Sequence, residues 1–283
     1  MTFETYFMRV LTPMHVGAGT GLGYIDLPIY REAHTDFPAV PASTIKGVFR
    51  TEEIRKLSNG ANSAKDIEER LMDYDPEEND EEESIVRLFE LFGNQRKEGN
   101  VVFTDARILY FPVKSLRGIF AYVTCPYVLK RFAEDAEQGY SGIEISDKNI
   151  CKVFNSSDVV VSIDNEKYVV LEEFSLKAEE EKENMDIPTA AGLVDKRRVV
   201  IVHDDLFTYF VKTFTEIQTH IKVDIESGTV DKGALWTEEY VPAESILYFK
   251  VSKNQGFNIE NGKRIQIGGG SSTGKGIVEV VKL

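Results

Sequence analysis

IQIGGGSSTGKGIVEVV, Ile265–Val281, sets a glycine-rich loop between two alternating apolar runs. From Gly269 to Lys275 the spacing imitates a P-loop, but Gly276 stands where the magnesium-holding Ser or Thr belongs, and a β-branched run follows. A P-loop needs a helix at that point, so that its amino end meets the phosphates. The segment therefore reads strand, glycine loop, strand, and nucleotide hydrolysis is set aside. What remains is a loop of exposed amides with one lysine, suited to lie along a sugar-phosphate backbone or to serve as a plain hairpin connection.

A second glycine-rich segment, HVGAGTGLGYID (His15–Asp26), carries Gly17, Gly19, Gly21 and Gly23 at alternate positions, with an acid just beyond them. Glycine at that density removes Cβ atoms and lets backbone amides approach a bulky anion. The chain then enters PAVPASTIKGVFR (Pro38–Arg50), with Ser43 and Thr44 as candidate helix caps, Lys46 in or beside the first turn, and Arg50 one turn further. Amides, a helix start and cations together are a phosphate-binding design. The reading is a protein that grips a nucleic-acid backbone, with Asp26 at the chemistry.

Strand signals recur at TYFMRVL, NVVFTDARIL, GIFAYVT, DVVVSI, KYVVLEEF, RVVIV, SILYFKV, RIQIG and GIVEVV. Helical spacing marks Ser84 to Phe92, the segment opening at Pro126, and a third helix from about Asp205 to Ile221 with Phe207, Phe210, Phe214, Ile217 and Ile221 on one face. Strands and helices mix without strict alternation, which gives an α+β class with an antiparallel sheet. A ferredoxin-like core with large insertions fits best, spanning residues 1–283 as one domain. One insertion, about 59–80, is a charged loop. The other, about 179–198, carries Met185, Ile187 and Leu193 on a polar stretch and reads either as a projecting hairpin with an apolar tip or as a surface loop.

The net charge of −14 opposes nucleic-acid binding, which draws its affinity from Lys and Arg. The acids concentrate in DPEENDEEE (Asp75–Glu83) and EEEKE (Glu179–Glu183), while Lys46, Arg50, Lys263, Arg264 and Lys275 surround the glycine loops. A basic groove on an acidic whole is the consequence. Cys125 and Cys151 lack metal-ligand spacing, and no apolar run approaches the length of a membrane span, so a cytoplasmic chain with no membrane contact is expected.

His15 and Asp26 invite acid–base work in RNA cleavage, where a 2′-hydroxyl attacks the adjacent phosphate. Asp26 alternatively binds a divalent cation, and His15 alternatively packs or caps. His34, His203 and His220 show no ligand spacing to one another. In GALWTEEYVPAESILYF, Glu238 and Glu239 point to opposite faces of a strand, so one at most reaches a given site; Glu239 is the catalytic candidate. Trp236 and Tyr240 either stack on bases or belong to a core or subunit contact.

Four blocks in this order, Leu11–Arg50, Val101–Phe132, Gly233–Phe249 and Ile265–Val278, resemble the repeated backbone subunit, subunit four, of type III-B CRISPR (Cmr) RNA-targeting complexes in the RAMP superfamily. The resemblance implies a ferredoxin-like (RRM-type) palm with a thumb hairpin, polymerising head to tail along CRISPR guide RNA among other Cmr subunits. It implies that Asp26 cuts complementary target RNA with a divalent cation (Mg or Mn), and that His15 assists. Guide contacts fall on Ser43, Lys46 and Gly47, with Arg50, Gly17, Gly19 and Gly21 beside them, and on the loop residues Gly268, Gly269, Gly270, Gly274 and Lys275. The 179–198 insertion, with Met185, Ile187 and Leu193, takes the place of the thumb. Two rivals stand beside this reading: a catalytically inactive guide-binding backbone subunit, and a stand-alone nuclease that processes precursor CRISPR RNA with His15 as base.

Overall fold

A computed structural model of the chain describes residues 2–21, 23–58, 63–77, 81–140, 142–181, 187–226, 228–253 and 256–283. Its strands are β1 (Phe3–Val10), β2 (Ala39–Val40), β3 (Ala106–Lys114), β4 (Phe120–Thr124), β5 (Ile150–Phe154), β6 (Val160–Ile163), β7 (Glu166–Leu171), β8 (Phe174–Glu181), β9 (Val199–Ile201), β10 (Glu216–Val223), β11 (Val230–Tyr240), β12 (Ile246–Ser252), β13 (Lys263–Gln266) and β14 (Ile277–Lys282). The helices are α1 (Ala42–Leu57), α2 (Ala64–Asp73), α3 (Glu83–Phe92), α4 (Pro126–Asp135) and α5 (Asp204–Thr213).

One 12-stranded sheet runs in the order β13-β14-β1-β12-β3-β4-β9-β5-β8-β7-β6, with β2 paired to β3 beside that path. Among the described residues only β4 with β9 and β5 with β8 pair as parallel strands of this sheet, so it is mixed and mostly antiparallel. β12 lies antiparallel between β1 and β3, whose connection runs through β2 and the helices α1, α2 and α3, and this makes a split β-α-β unit. The C-terminal segment folds as strand, loop, strand: β13 and β14 pair antiparallel, with Gln266 opposite Ile277. On one sheet face Pro126 opens α4, and Phe132 stacks on Phe7 of β1 at 5.6 Å between ring centroids.

Several expectations are corrected. α1 is not capped by Ser43 or Thr44, which lie inside its first turn; Pro41 is the N-cap residue, and the Ala42 amide donates to Asp105 Oδ1 at 2.7 Å. A distant carboxylate thus does the capping. The charged 59–80 stretch is no simple loop, because it holds α2, started by a reciprocal capping box between Ser63 and Asp66 and buried through Ile67 and Leu71.

The third helix stops at Thr213, and Ile217 and Ile221 belong to β10 instead. A spacing of four residues satisfies a helix face, but it is also an even number and so keeps both side chains on one face of a strand. The β-branched residues Thr219, Ile221 and Val223 then favour the strand, and β10 pairs with β11 from Glu216 opposite Tyr240 to Val223 opposite Val230.

Among the described residues of the 179–198 insertion, the large apolar side chains turn inward. β8 continues to Glu181; beyond it Ile187, Ala190 and Val194 are buried in the core, with Leu193 packed against them. The Tyr110 hydroxyl pins the segment by donating to the Pro188 carbonyl at 2.8 Å. Ile187 and Leu193 are therefore core-side residues, while Met185 lies outside the described residues. The exposed apolar hairpin is β10–β11, a separate two-stranded sheet with Ile217, Ile221, Val223, Ile225, Val230 and Leu235 exposed.

Candidate functional site

The site forms where β11 meets the first glycine-rich segment. Leu27 lies against β11, donating its amide to the Thr237 carbonyl at 3.0 Å and accepting from the Glu239 amide at 3.0 Å. This pairing fixes Asp26, whose Oδ2 accepts from the Thr237 amide at 2.8 Å and from its hydroxyl at 2.9 Å. The carboxylate is exposed. The Thr237 amide first, and the Thr237 hydroxyl second, hold its pKa below the ordinary 3.8, so Asp26 is ionised at neutral pH.

His15 is reached from the other side. Its Nδ1 lies 2.7 Å from the Glu239 carbonyl oxygen, which can only accept, so Nδ1 carries a proton and donates it there. The C-terminal glycine loop docks on the same residue: the Gly269 amide donates to the His15 carbonyl at 2.9 Å. Gly268 permits this approach, since its φ is +84° and a Cβ there would stand 2.1 Å from that carbonyl oxygen. The two glycine-rich segments, at opposite ends of the sequence, are thus one surface.

Lys275 reaches from the loop over the Tyr240 ring, 4.8 Å from its centroid, and the His15 ring lies 5.6 Å from the same ring. The Tyr240 hydroxyl donates to Glu238 Oε2 at 2.5 Å, and Trp236 Nε1 donates to Glu238 Oε1 at 2.9 Å. His220 of β10 stacks on Trp236 at 5.5 Å and 18°, with Nε2 3.7 Å from the Glu238 carboxylate. Desolvation pushes the Glu238 carboxyl upward, yet the bonds from Tyr240 and Trp236 prevail and hold it below 4.5. Burial, then the bond to Glu238, raises the Tyr240 hydroxyl.

Glu239 is the corrected member of the expected catalytic set. Strand alternation sends its side chain inward, where it is 2% exposed. There it accepts from the Ile29 amide at 3.0 Å, from the Thr215 hydroxyl at 2.7 Å and from Arg31, which in turn donates to the Val211 carbonyl at 3.0 Å. Glu239 ties the first glycine segment to α5 and β11, and Glu238 is the acid facing His15's side of the strand. Alternation allowed at most one of the two acids at the site, and the candidate chosen, Glu239, is the one that turns inward; Thr237, the anchor of Asp26, carried no signal in the sequence.

Along α1, Ser43 and Gly47 line a groove with Val48, Thr51 and Gln266, beside the glycine loop. Lys46 is half-buried in the same turn. Arg50 is directed elsewhere, into an ion pair of 3.3 Å with Glu68 on α2. Gly17 is exposed near His15, and Gly19 and Gly21 continue toward Asp26. Gly270 and Gly274, both left-handed, bracket the short turn 271–273 of the C-terminal loop. Among the described residues no three His, Cys, Asp or Glu side chains converge as a metal cage. Nor is any helix among them long and apolar enough to cross a membrane.

The RAMP superfamily model matches residues 7–279. The CRISPR system Cmr endoribonuclease Cmr4 of Pyrococcus furiosus is 33% identical over 297 residues, covering 96% of this chain and 93% of that protein. The CRISPR system CMR subunit Cmr4 of Saccharolobus solfataricus is 24% identical, covering 99% and 97%. Among solved structures, oligomeric Cmr4 from Pyrococcus furiosus superposes with a TM-score of 0.64 at 27% identity, covering 100% of this chain and 98% of that one. A chain of the type III-B Cmr-beta complex bound to cognate target RNA shares the fold at a TM-score of 0.72 and 19% identity, covering 100% and 97%. This chain belongs to the RAMP superfamily and, within it, to the Cmr4 family.

Proposed function

We propose that this chain, a subunit of a type III-B RNA-targeting effector complex, holds guide RNA on its glycine loops and α1 and cuts the paired target RNA at Asp26. One observation carries the reading: Asp26 is an exposed carboxylate, fixed and kept ionised by Thr237 of β11, at the end of the glycine-rich segment on which the C-terminal glycine loop docks through His15. Amides of both loops and Lys46 hold phosphates without reading bases. Asp26 orients the attacking 2′-hydroxyl, and His15 Nε2, the ring nitrogen left without the Glu239 contact, is placed to move a proton. In-line attack leaves a cyclic phosphate and a 5′-hydroxyl. Glu238 and Tyr240 position the surface between them.

A divalent cation would be held here by the exposed Asp26 carboxylate. A single carboxylate completed by substrate phosphate and water is a normal magnesium site, and the cation supplies charge neutralisation at the reacting phosphate. Copies stack head to tail along the guide, in keeping with the oligomeric Pyrococcus furiosus relative. The split β-α-β unit supports the ferredoxin-like palm, and the exposed apolar hairpin β10–β11 takes over the thumb role.

The test is cutting of matched and mismatched RNA by the assembled complex, with magnesium and with EDTA. Cutting of matched RNA alone, abolished by EDTA, is the expected result. Cutting in EDTA without a complementary target would instead favour the precursor-processing nuclease that the free His15 Nε2 permits. Lys46→Ala should weaken guide binding equally for all sequences and lower the slope of log affinity against log salt by about 0.7. An unchanged slope in a salt titration would remove Lys46 from the guide contacts.

A further inference from the structure

Tyr24 is fully exposed at 104% of its reference area, and no other aromatic ring among the described residues packs on it. Aromatic rings carry much of a fold's burial, so one left entirely in water contributes nothing to packing here. Its display is nevertheless built. The Gly21 amide donates to the Asp26 carbonyl at 2.9 Å, closing the turn that holds Tyr24. Only glycine closes it this tightly, because a Cβ on Gly21 would stand 2.5 Å from the Ile25 carbonyl oxygen. The Thr237 hydroxyl faces both the Tyr24 carbonyl, at 3.4 Å, and the Asp26 carboxylate, at 2.9 Å. One side chain of β11 therefore anchors the backbone under the ring and the proposed cutting group together.

We propose that Tyr24 is a positioning residue whose ring stacks on the target-RNA base flanking the nucleotide cut at Asp26. The proposal rests on the reading of Asp26 as the cutting residue. Stacking suits this place because every base has a π-face, so a ring can steady any target sequence that a changing guide selects. The ring would hold the scissile nucleotide in the in-line arrangement that a regular A-form duplex withholds.

The experiment uses the assembled, guide-loaded complex and a matched target bearing 2-aminopurine at the flanking nucleotide. Tyr24→Ala should raise 2-aminopurine fluorescence and slow single-turnover cutting by about 10-fold to 100-fold, with complex size and guide loading unchanged. Tyr24→Phe should behave as wild type, since it keeps the ring. Unchanged fluorescence in Tyr24→Ala, slow cutting in Tyr24→Phe, or failure of Tyr24→Ala to assemble would each overturn the proposal, the last by making the ring a protein contact. Fluorescence is also read in Asp26→Asn, where a retained quench without cutting is expected. Continued cutting there would overturn the Asp26 reading, while the fluorescence difference would still decide Tyr24 by itself.

Discussion

Asp26→Asn complexes should assemble, load guide and bind matched target normally, yet cut it at least 10²-fold to 10⁴-fold more slowly, the range that general acid–base groups supply. The substitution keeps size, and the amide oxygen can still accept from the Thr237 amide and hydroxyl that hold the carboxylate at 2.8 and 2.9 Å. Geometry is thereby preserved while the negative charge is lost. Because Asp26 is exposed, no part of the core depends on it, and the unfolding midpoint should not move. The carboxyl lies below 3.8, so between about pH 5 and pH 8 it stays ionised, and its own titration puts no acid limb on the rate in that window. Single-turnover cutting across that range checks both points. A wild-type rate from the purified variant complex would leave the catalytically inactive backbone subunit as the better reading.

What the sequence made legible follows from which patterns have one physical solution. The run after Gly276 could not be helical at that β-branched density, and β14 follows from it. Gly93 marks a helix stop because glycine readily takes the φ of +70° found there, and Pro126 marks a helix start because its fixed φ suits a first turn that needs no amide donor. Ile217 and Ile221 had two solutions, and only pairing with β11 selects the strand. Ile187 looked like a projecting apolar residue because its neighbours are polar; its partners come from distant elements, which local spacing cannot report. The site divides in the same way. Asp26 and His15 stood out beside the glycines, but Thr237 as the anchor and Glu238 as the outward acid required the register of Leu27 against β11.

Glu239→Ala tests that division from the structural side, since it should unfold the chain more readily while removing no group from the surface of the site. The carboxylate side chain is 3% exposed and its Arg31 partner 19%, so both are largely shielded from water. Truncating one member of such a pair leaves the other buried and unmatched, which typically costs about 3–5 kcal/mol. Here the Ile29 amide and the Thr215 hydroxyl lose their acceptor as well. Denaturant unfolding of the isolated chain measures the loss. Glu238→Ala, by contrast, removes a group that faces Tyr240, Trp236 and His220 on the other side of β11, and should leave the unfolding midpoint near wild type while slowing cutting in the assembled complex. Pairing Glu239→Leu with Arg31→Met should recover much of the stability, because replacing both partners of a buried ion pair with apolar groups leaves no stranded charge. A Glu239→Ala chain as stable as wild type, cutting far more slowly once assembled, would return Glu239 to the chemistry and overturn its assignment as the tie between Arg31, Thr215 and the first glycine segment.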